Sequence, residues 1–340
     1  MSVTEVRTGD APAAVIDSRG VTTTSVEQPR DLQRTFQLVL ATVWLLDAVL
    51  QLQPFMFTRG SNGFSGMLNN LAGGNPGWVA HSITWNASNV YHNPVLSNSV
   101  FAFRQFLIAF GIVWKRSLKP ALALSILWSL GVWWFGEGLG NIAHGGATPY
   151  GGGPGAVLFY ALLAVLLWPS EGSDLPFVAA RTVGVTAAKA IWAVVWGLLA
   201  LLAVVGSGRS PQALHDLVAA YTGQPGWLAR IDRATASMFL HHGTTAAILL
   251  AVVCVVVAVG VYLPPQFNRF TLVLGIVTFV FIWVATENFG GILAGGSTDP
   301  NSGPPVIILA LIYWPVTMAR GTANGVPSNS TDELKKALVP

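Results

Sequence analysis

Residues 137–155, EGLGNIAHGGATPYGGGPG, and residues 287–305, ENFGGILAGGSTDPNSGPP, are two stretches whose likeness sets the fold. Laid together without a gap, they share Glu137/Glu287, Gly140/Gly290, Ile142/Ile292, Gly145/Gly295, Gly146/Gly296, Thr148/Thr298, Gly153/Gly303 and Pro154/Pro304. Each runs into an apolar segment closing on Trp-Pro, at Trp168-Pro169 and Trp314-Pro315. Upstream, GNPGWVA from Gly74 answers GQPGWLA from Gly223, and one residue of gap then sets His92 opposite His242 and Lys119 opposite Arg269. Four blocks in one order at one spacing predict an internal duplication.

The surroundings of these blocks say what solvent the units meet. Of 340 residues, 52% are hydrophobic and 10% charged, where a soluble domain carries about 25% charge, and the mean hydropathy is +0.56. That excludes an ordinary soluble enzyme. Thirteen Trp and long uncharged runs suit a chain surrounded by hydrocarbon and anchored at its interfaces. Apolar stretches fall at 36–57, 100–114 (extendable back toward Val95), 120–135, 155–168, 183–205, 239–262, 270–286 and 304–318. The expected fold is all-α and integral to a membrane: eight transmembrane helices in two parallel, pseudo-symmetric four-helix repeats, 35–170 and 183–318, with external amphipathic loops. Residues 1–34 are expected to be a disordered cytoplasmic tail and 319–340 a second cytoplasmic tail. The fourth and eighth stretches are short for a crossing, which leaves a six-span arrangement open. Charge divides the 18 Lys/Arg as 13 inside and five outside in either arrangement, and the duplication favours eight crossings by keeping Lys119 and Arg269 on one side. A bacterial plasma membrane with both termini cytoplasmic is the expected location.

The external loops predict amphipathic caps. Ser210 is a natural N-cap and Pro211 suits the first helical position, with Leu214, Leu217, Val218 and Tyr221 on one face; Phe64, Met67, Leu68 and Leu71 form the matching face in the first unit. Among ionisable residues, Asp47 stands out. It lies 13 residues beyond Arg34, a rise of about 20 Å, and an acid at that depth is a functional candidate unless it is neutral and bonded to Gln51 one turn on or to a neighbouring helix. Glu137 and Glu287 end the third and seventh helices. They either converge with Arg104, near the outer end of the second helix, on a ligand or proton site, or cap their own Gly-Gly turns. His92 and His242 at a similar height are candidate metal ligands. The lone Cys254 excludes a disulfide or CxxC site, and a net charge of +3 without a basic stripe gives no reason for a nucleic-acid partner.

A tandem pair of four-helix membrane units resembles, in helix count, a duplicated DoxX-like protein, and WWFGEGLGNIAHGGATPYGGGPG, residues 133–155, looks like multi-pass proteins of high-GC bacteria. No catalytic residue follows from either resemblance. Three functional readings remain. The first is a small solute or ion bound in an outward-facing polar cavity between the repeats and transported, with Asp47 as the intramembrane acid and Glu137, Glu287, His92 and His242 as the external gate. The second is a non-enzymatic scaffold or accessory subunit of a membrane complex. The third is a redox or metal-handling protein carrying quinone, haem or copper. No cofactor is specified by a motif.

Overall fold

The computed structural model describes residues 31–61, 63–170 and 175–316, and near the N-terminus a two-residue antiparallel pairing of Val15–Ile16 with Thr22–Thr23. The 319–340 tail and most of the 1–34 tail lie outside the described residues. Among the described residues from 31 onward, every regular element is helical. The first long helix, α1 (Leu32–Leu50), starts within the stretch read as tail, with the Asp31 side chain accepting from the Arg34 N–H as its N-cap. A short cap α2 (Phe64–Asn70), α3 (Gly77–His92), α4 (Pro94–Val113), α5 (Leu118–Phe135) and α6 (Ala156–Leu166) follow. After one turn, α7 (Ala180–Val183), come α8 (Val185–Val204), α9 (Pro211–Ala219), α10 (Gly226–Gly260), α11 (Pro265–Ala285) and α12 (Gly303–Ile312).

Five helical stretches are long and apolar enough to cross a membrane: Pro94–Val113, Lys115–Phe135, Val185–Val204, Gly226–Gly260 and Pro265–Ala294. The protein is therefore an all-helical chain suited to a lipid environment. α1 has the length but is diluted by Gln33, Arg34, Gln37, Asp47 and other polar residues. α6 and α12 are shorter than the expected segments, 11 and 10 residues, or about 16 Å each.

Hydrogen bonds orient these short helices. The N–H of Val157, at the start of α6, donates to Glu137 at the end of α5, while at the other end the carbonyls of Leu167 and Trp168 accept from Gln37 and Gln33 in the first turns of α1. α6 thus runs antiparallel to α1 over most of its length. α12 does the same beside α8: Gly303 N–H donates to Glu287, and Tyr313 Oη donates to the carbonyl of Ala188. The Gly-rich loops sink into the bundle, with Ala147, Thr148, Pro149 and Tyr150 of the first and Ser297, Pro300 and Ser302 of the second buried. We call the end that holds these loops the loop end. At the opposite end Arg34 closes α4 by donating to the carbonyls of Ile112 and Val113.

The long connections are more helical than the sequence indicates. α9 begins as expected, with Ser210 Oγ accepting from Ala213 N–H at 3.0 Å. Each PGW motif, however, opens a helix: α3 after Pro76 and α10 after Pro225. α3 gives way to α4 at Asn93–Pro94, and α10 stays one helix with a kink at His242 (φ −131°, ψ 15°).

One main core runs through both helix groups, with two smaller clusters beside it around Phe64 and Ile83. α1 packs on α4, α5 on α6, α8 on α10 and α11 on α12, with α6 against α12 joining the two groups. Fully buried Trp44, Tyr160, Trp192, Trp196, Phe279 and Tyr313 supply the largest side chains. Each Gly-rich loop reaches across. Ser297 O accepts from Gln53, just past α1, at 2.7 Å, and Gly145 O accepts from the Ser207 N–H, just past α8, at 2.9 Å.

Candidate functional site

The buried faces of α1 and α4 differ chemically from those of α8 and α10. α1 carries Trp44, Asp47 and Gln51 at the spacing at which α8 carries Trp196, Leu199 and Ala203, all buried. α4 carries buried Asn98 and Gln105 seven residues apart, as α10 carries Ala247 and Cys254. At these matched positions the polar residues lie in the first group, while the buried polar residues of α10, Asp232 and Thr235, lie nearer its start, where Asp232 accepts from Gln224 and Asn288. Asp47 is 2% exposed and accepts from Tyr160 Oη of α6 at 3.4 Å. The Gln51 side chain does not bond to the Asp47 carboxyl, although it lies one turn away and its backbone N–H donates to the Asp47 carbonyl at 2.9 Å. Its amide donates to Asn98 Oδ1, and Asn98 Nδ2 returns a bond to the Gln51 carbonyl at 2.8 Å, locking α1 to α4.

Beside this lock lies a cavity of about 380 Å³ lined by Trp44, Asp47, Gln51, Arg104, Gln105, Trp128, Glu137, Thr298 and Asp299, with Phe64, Met67, Phe101 and Phe135 on its apolar walls. A second cavity of about 230 Å³ is lined mainly by both Gly-rich loops. The two share Gly136, Glu137, Thr298 and Asp299. Two carboxylates therefore stand where a loop-lined vestibule meets an aromatic-walled chamber that contains a third, Asp47.

Each glutamate is placed by a repeated local geometry. After α5 and α11 the backbone turns through left-handed conformations at Gly138–Asn141 and at Asn288–Gly291. At Gly140 the turn brings the chain against the Pro154 carbonyl, where a Cβ would lie 1.8 Å from that oxygen, and at Gly290 a Cβ would lie 2.5 Å from Asp299 O. Trp133 and Trp283 brace the returns by donating to the Pro154 and Pro300 carbonyls, both at 2.7 Å. This sets Pro154 opposite Pro300 rather than Pro304. The ungapped matching of the two blocks thus fails at its far end, where the second loop is four residues shorter.

The glutamates also differ from expectation. They do not cap Gly-Gly turns. Each accepts from the first turn of the following helix, where the exposed N–H groups and helix dipole favour a carboxylate. Glu287 is fully buried and bonded to Ser302 Oγ and Gly303 N–H, and it lines neither cavity. Glu137 is half-buried, with Oε1 on Val157 N–H and Oε2 closed off without a partner. Burial, reinforced by the negative charge of Asp299, pushes its pKa up to about 8. Burial also raises the carboxyl of Asp299, although Thr298 Oγ1 and Asn301 N–H both donate to it.

Arg104 lies mid-helix in α4, because that helix begins at Pro94, and not near its outer end. Its guanidinium stands 5.1 Å from the centre of the Trp128 ring, and among the described residues it makes no ion pair with Glu137. His92 and His242 are exposed and line neither cavity. His92 Nδ1 lies 2.7 Å from the Ser88 carbonyl, and His242 occupies the α10 kink. Among the described residues no group of three or more His, Cys, Asp or Glu is placed to hold a metal ion.

The structure thus gathers Asp47, Gln51, Glu137 and Arg104 at one chamber and leaves Glu287, His92 and His242 outside it. It adds residues the sequence reading missed: Asp299, Gln105, Asn98 and Tyr160. Asp299 had a signal, since it stands in the second block where the first has Pro149, an acid unmatched by the repeat, like Asp47. Comparison with protein-family models, curated proteins and solved structures finds no match for this chain.

Proposed function

We propose that this is a multi-pass membrane protein that takes a small solute or ion from the loop end through the vestibule into the chamber and transports it. The observation that carries this is the sharing of Glu137 and Asp299 by two contiguous cavities that lead from the loops to Asp47. An acid at this depth is costly unless it faces a ligand or a wet cavity. The chamber does not lie symmetrically between the halves, since the second half supplies only Thr298 and Asp299 to it. The corresponding place in the second half has Leu199 and Cys254, with Tyr150 packed on Phe239 at 4.9 Å and donating to the Ala246 carbonyl.

The topology belongs to the same proposal. Eight crossings in two four-helix repeats, DoxX-like in helix count, are supported by the paired bonds of α6 and α12 at both ends and by the matching Trp–Pro braces. Lys115, Arg116, Lys119, Arg181, Lys189 and Arg269 then gather at the end opposite the loops, and this positive charge supports the reading in which that end and both termini face the cytoplasm of a bacterial cell.

Accessibility tests the path. In a Cys254→Ala background, a charged, membrane-impermeant thiol reagent applied from the loop side is expected to label Gln105→Cys. Ser129→Cys, buried and outside both cavities, should stay unlabelled. Failure to label position 105 while an exposed loop cysteine reacts would remove the chamber reading.

A further inference from the structure

Several buried polar atoms on the chamber wall have no partner in the protein. Gln105 is 7% exposed and lines the chamber with Oε1 unpartnered, Glu137 Oε2 is equally without a partner, and Trp128 Nε1 is an unpartnered buried donor. Three carboxylates, Asp47, Glu137 and Asp299, face one guanidinium, Arg104, which is held over the Trp128 ring. The rest of the wall includes four aromatic rings, Trp44, Phe64, Phe101 and Phe135, beside the aliphatic Met67, Leu68, Val132 and Val157. A ligand that satisfies such a wall donates hydrogen bonds, carries positive charge and covers itself with ring faces, because the face of an aromatic ring attracts cations.

We propose that the chamber binds an amphiphilic organic cation, an ammonium or guanidinium head on an apolar body, with the head among Asp47, Glu137 and Asp299 and the body against the aromatic wall. The assignment rests on the chamber reading above and gives it a substrate class. Binding is coupled to proton release. The charged and titratable groups around Glu137 are Asp299 and Glu287 from the second half, Asp47 on α1, Arg104 on α4 and Tyr160 on α6. Below about pH 8 Glu137 holds a proton. When the cation arrives, that proton leaves to water and the carboxylate pairs with the head. One positive charge enters as one departs, which is the stoichiometry of cation–proton exchange.

The full chain in phosphatidylcholine nanodiscs, titrated calorimetrically with benzylguanidinium and separately with benzylsulfonate, an anion of similar size, tests this. The cation is expected to bind saturably and the anion not at all. Glu137→Gln and Asp47→Asn should each weaken cation binding at least tenfold, and Arg104→Gln should tighten it. Affinity should rise from pH 6 to pH 9. Buffers of different ionisation enthalpy should report close to one proton released at pH 7 in wild type and none in Glu137→Gln. Variants are compared only where their melting profiles match wild type. Preferential anion binding weakened by Arg104→Gln, or cation heats unchanged by all three substitutions, would overturn the proposal. Loop-side labelling of Gln105→Cys separates the two failures: labelled without cation binding, the substrate class falls and the chamber stands; unlabelled, the chamber itself falls.

Discussion

At the scale of single residues, the site depends on polar groups that fold against their own preference. Asp47 and Tyr160 satisfy each other in the core, so removing one strands the other. Asp47→Leu, which copies Leu199, is expected to cost about 1–3 kcal/mol by leaving the Tyr160 hydroxyl unpaired, whereas the Asp47→Leu/Tyr160→Phe pair should return to within about 1 kcal/mol of wild type. Equilibrium unfolding in mixed detergent measures both. Glu137 gives a pH signature. Its carboxyl titrates at about 8 in the fold against 4.5 when free. Across that window the unfolded chain is ionised while the folded chain keeps its proton, so Glu137 makes the fold less stable as pH rises. Glu137→Gln, whose amide oxygen can still accept from Val157 N–H, should melt near wild type at pH 5 and higher at pH 9, by on the order of 5 °C. An equal offset at both values would refute the assignment.

At the scale of elements, the turns after α5 and α11 decide where the glutamates go. A tight left-handed turn returns the chain so closely that no side chain fits at Gly140 or Gly290. Alanine at either should destabilise the protein by more than about 2 kcal/mol, through the steric clash added to the strain of a positive φ. Gly145→Ala and Gly295→Ala have the same sign of φ but open space around the position, and should cost only about 1 kcal/mol. Thermal melting of the four variants side by side would show whether the two classes separate. The Gly-rich composition of these blocks was legible in the sequence. Their purpose was not, because the returning carbonyl that crowds Gly140 comes from Pro154, fourteen residues on, and no local pattern encodes that approach.

At the scale of the whole molecule, reciprocal docking of the loops makes one chamber from two related halves. The second loop docks past α1 and contributes Asp299 to the polar half, while the first loop docks past α8 and places Tyr150 against the apolar half. The proposed eight-crossing topology has a direct test. Single cysteines at Ser117 and Gln266 should react with an impermeant thiol reagent only from the side opposite the loops, and those at Ser61 and Thr222 only from the loop side; sealed vesicles of each orientation read this. Labelling of positions 117 and 266 from opposite faces would exclude eight crossings.

The sequence by itself determined the all-helical, lipid-suited character of the chain, the likeness of its two Gly-rich blocks, and the anomaly of Asp47, because apolar runs, repeated spacing and a lone acid are properties of order along the chain. Only the tertiary structure decided that Gln51 bonds Asn98 instead of Asp47, that Glu137 opens onto a chamber while Glu287 is closed off, and that Asp299 joins them. Each of those outcomes depends on which distant backbone or side chain arrives to satisfy a buried polar group, and that is settled by packing between helices far apart in sequence.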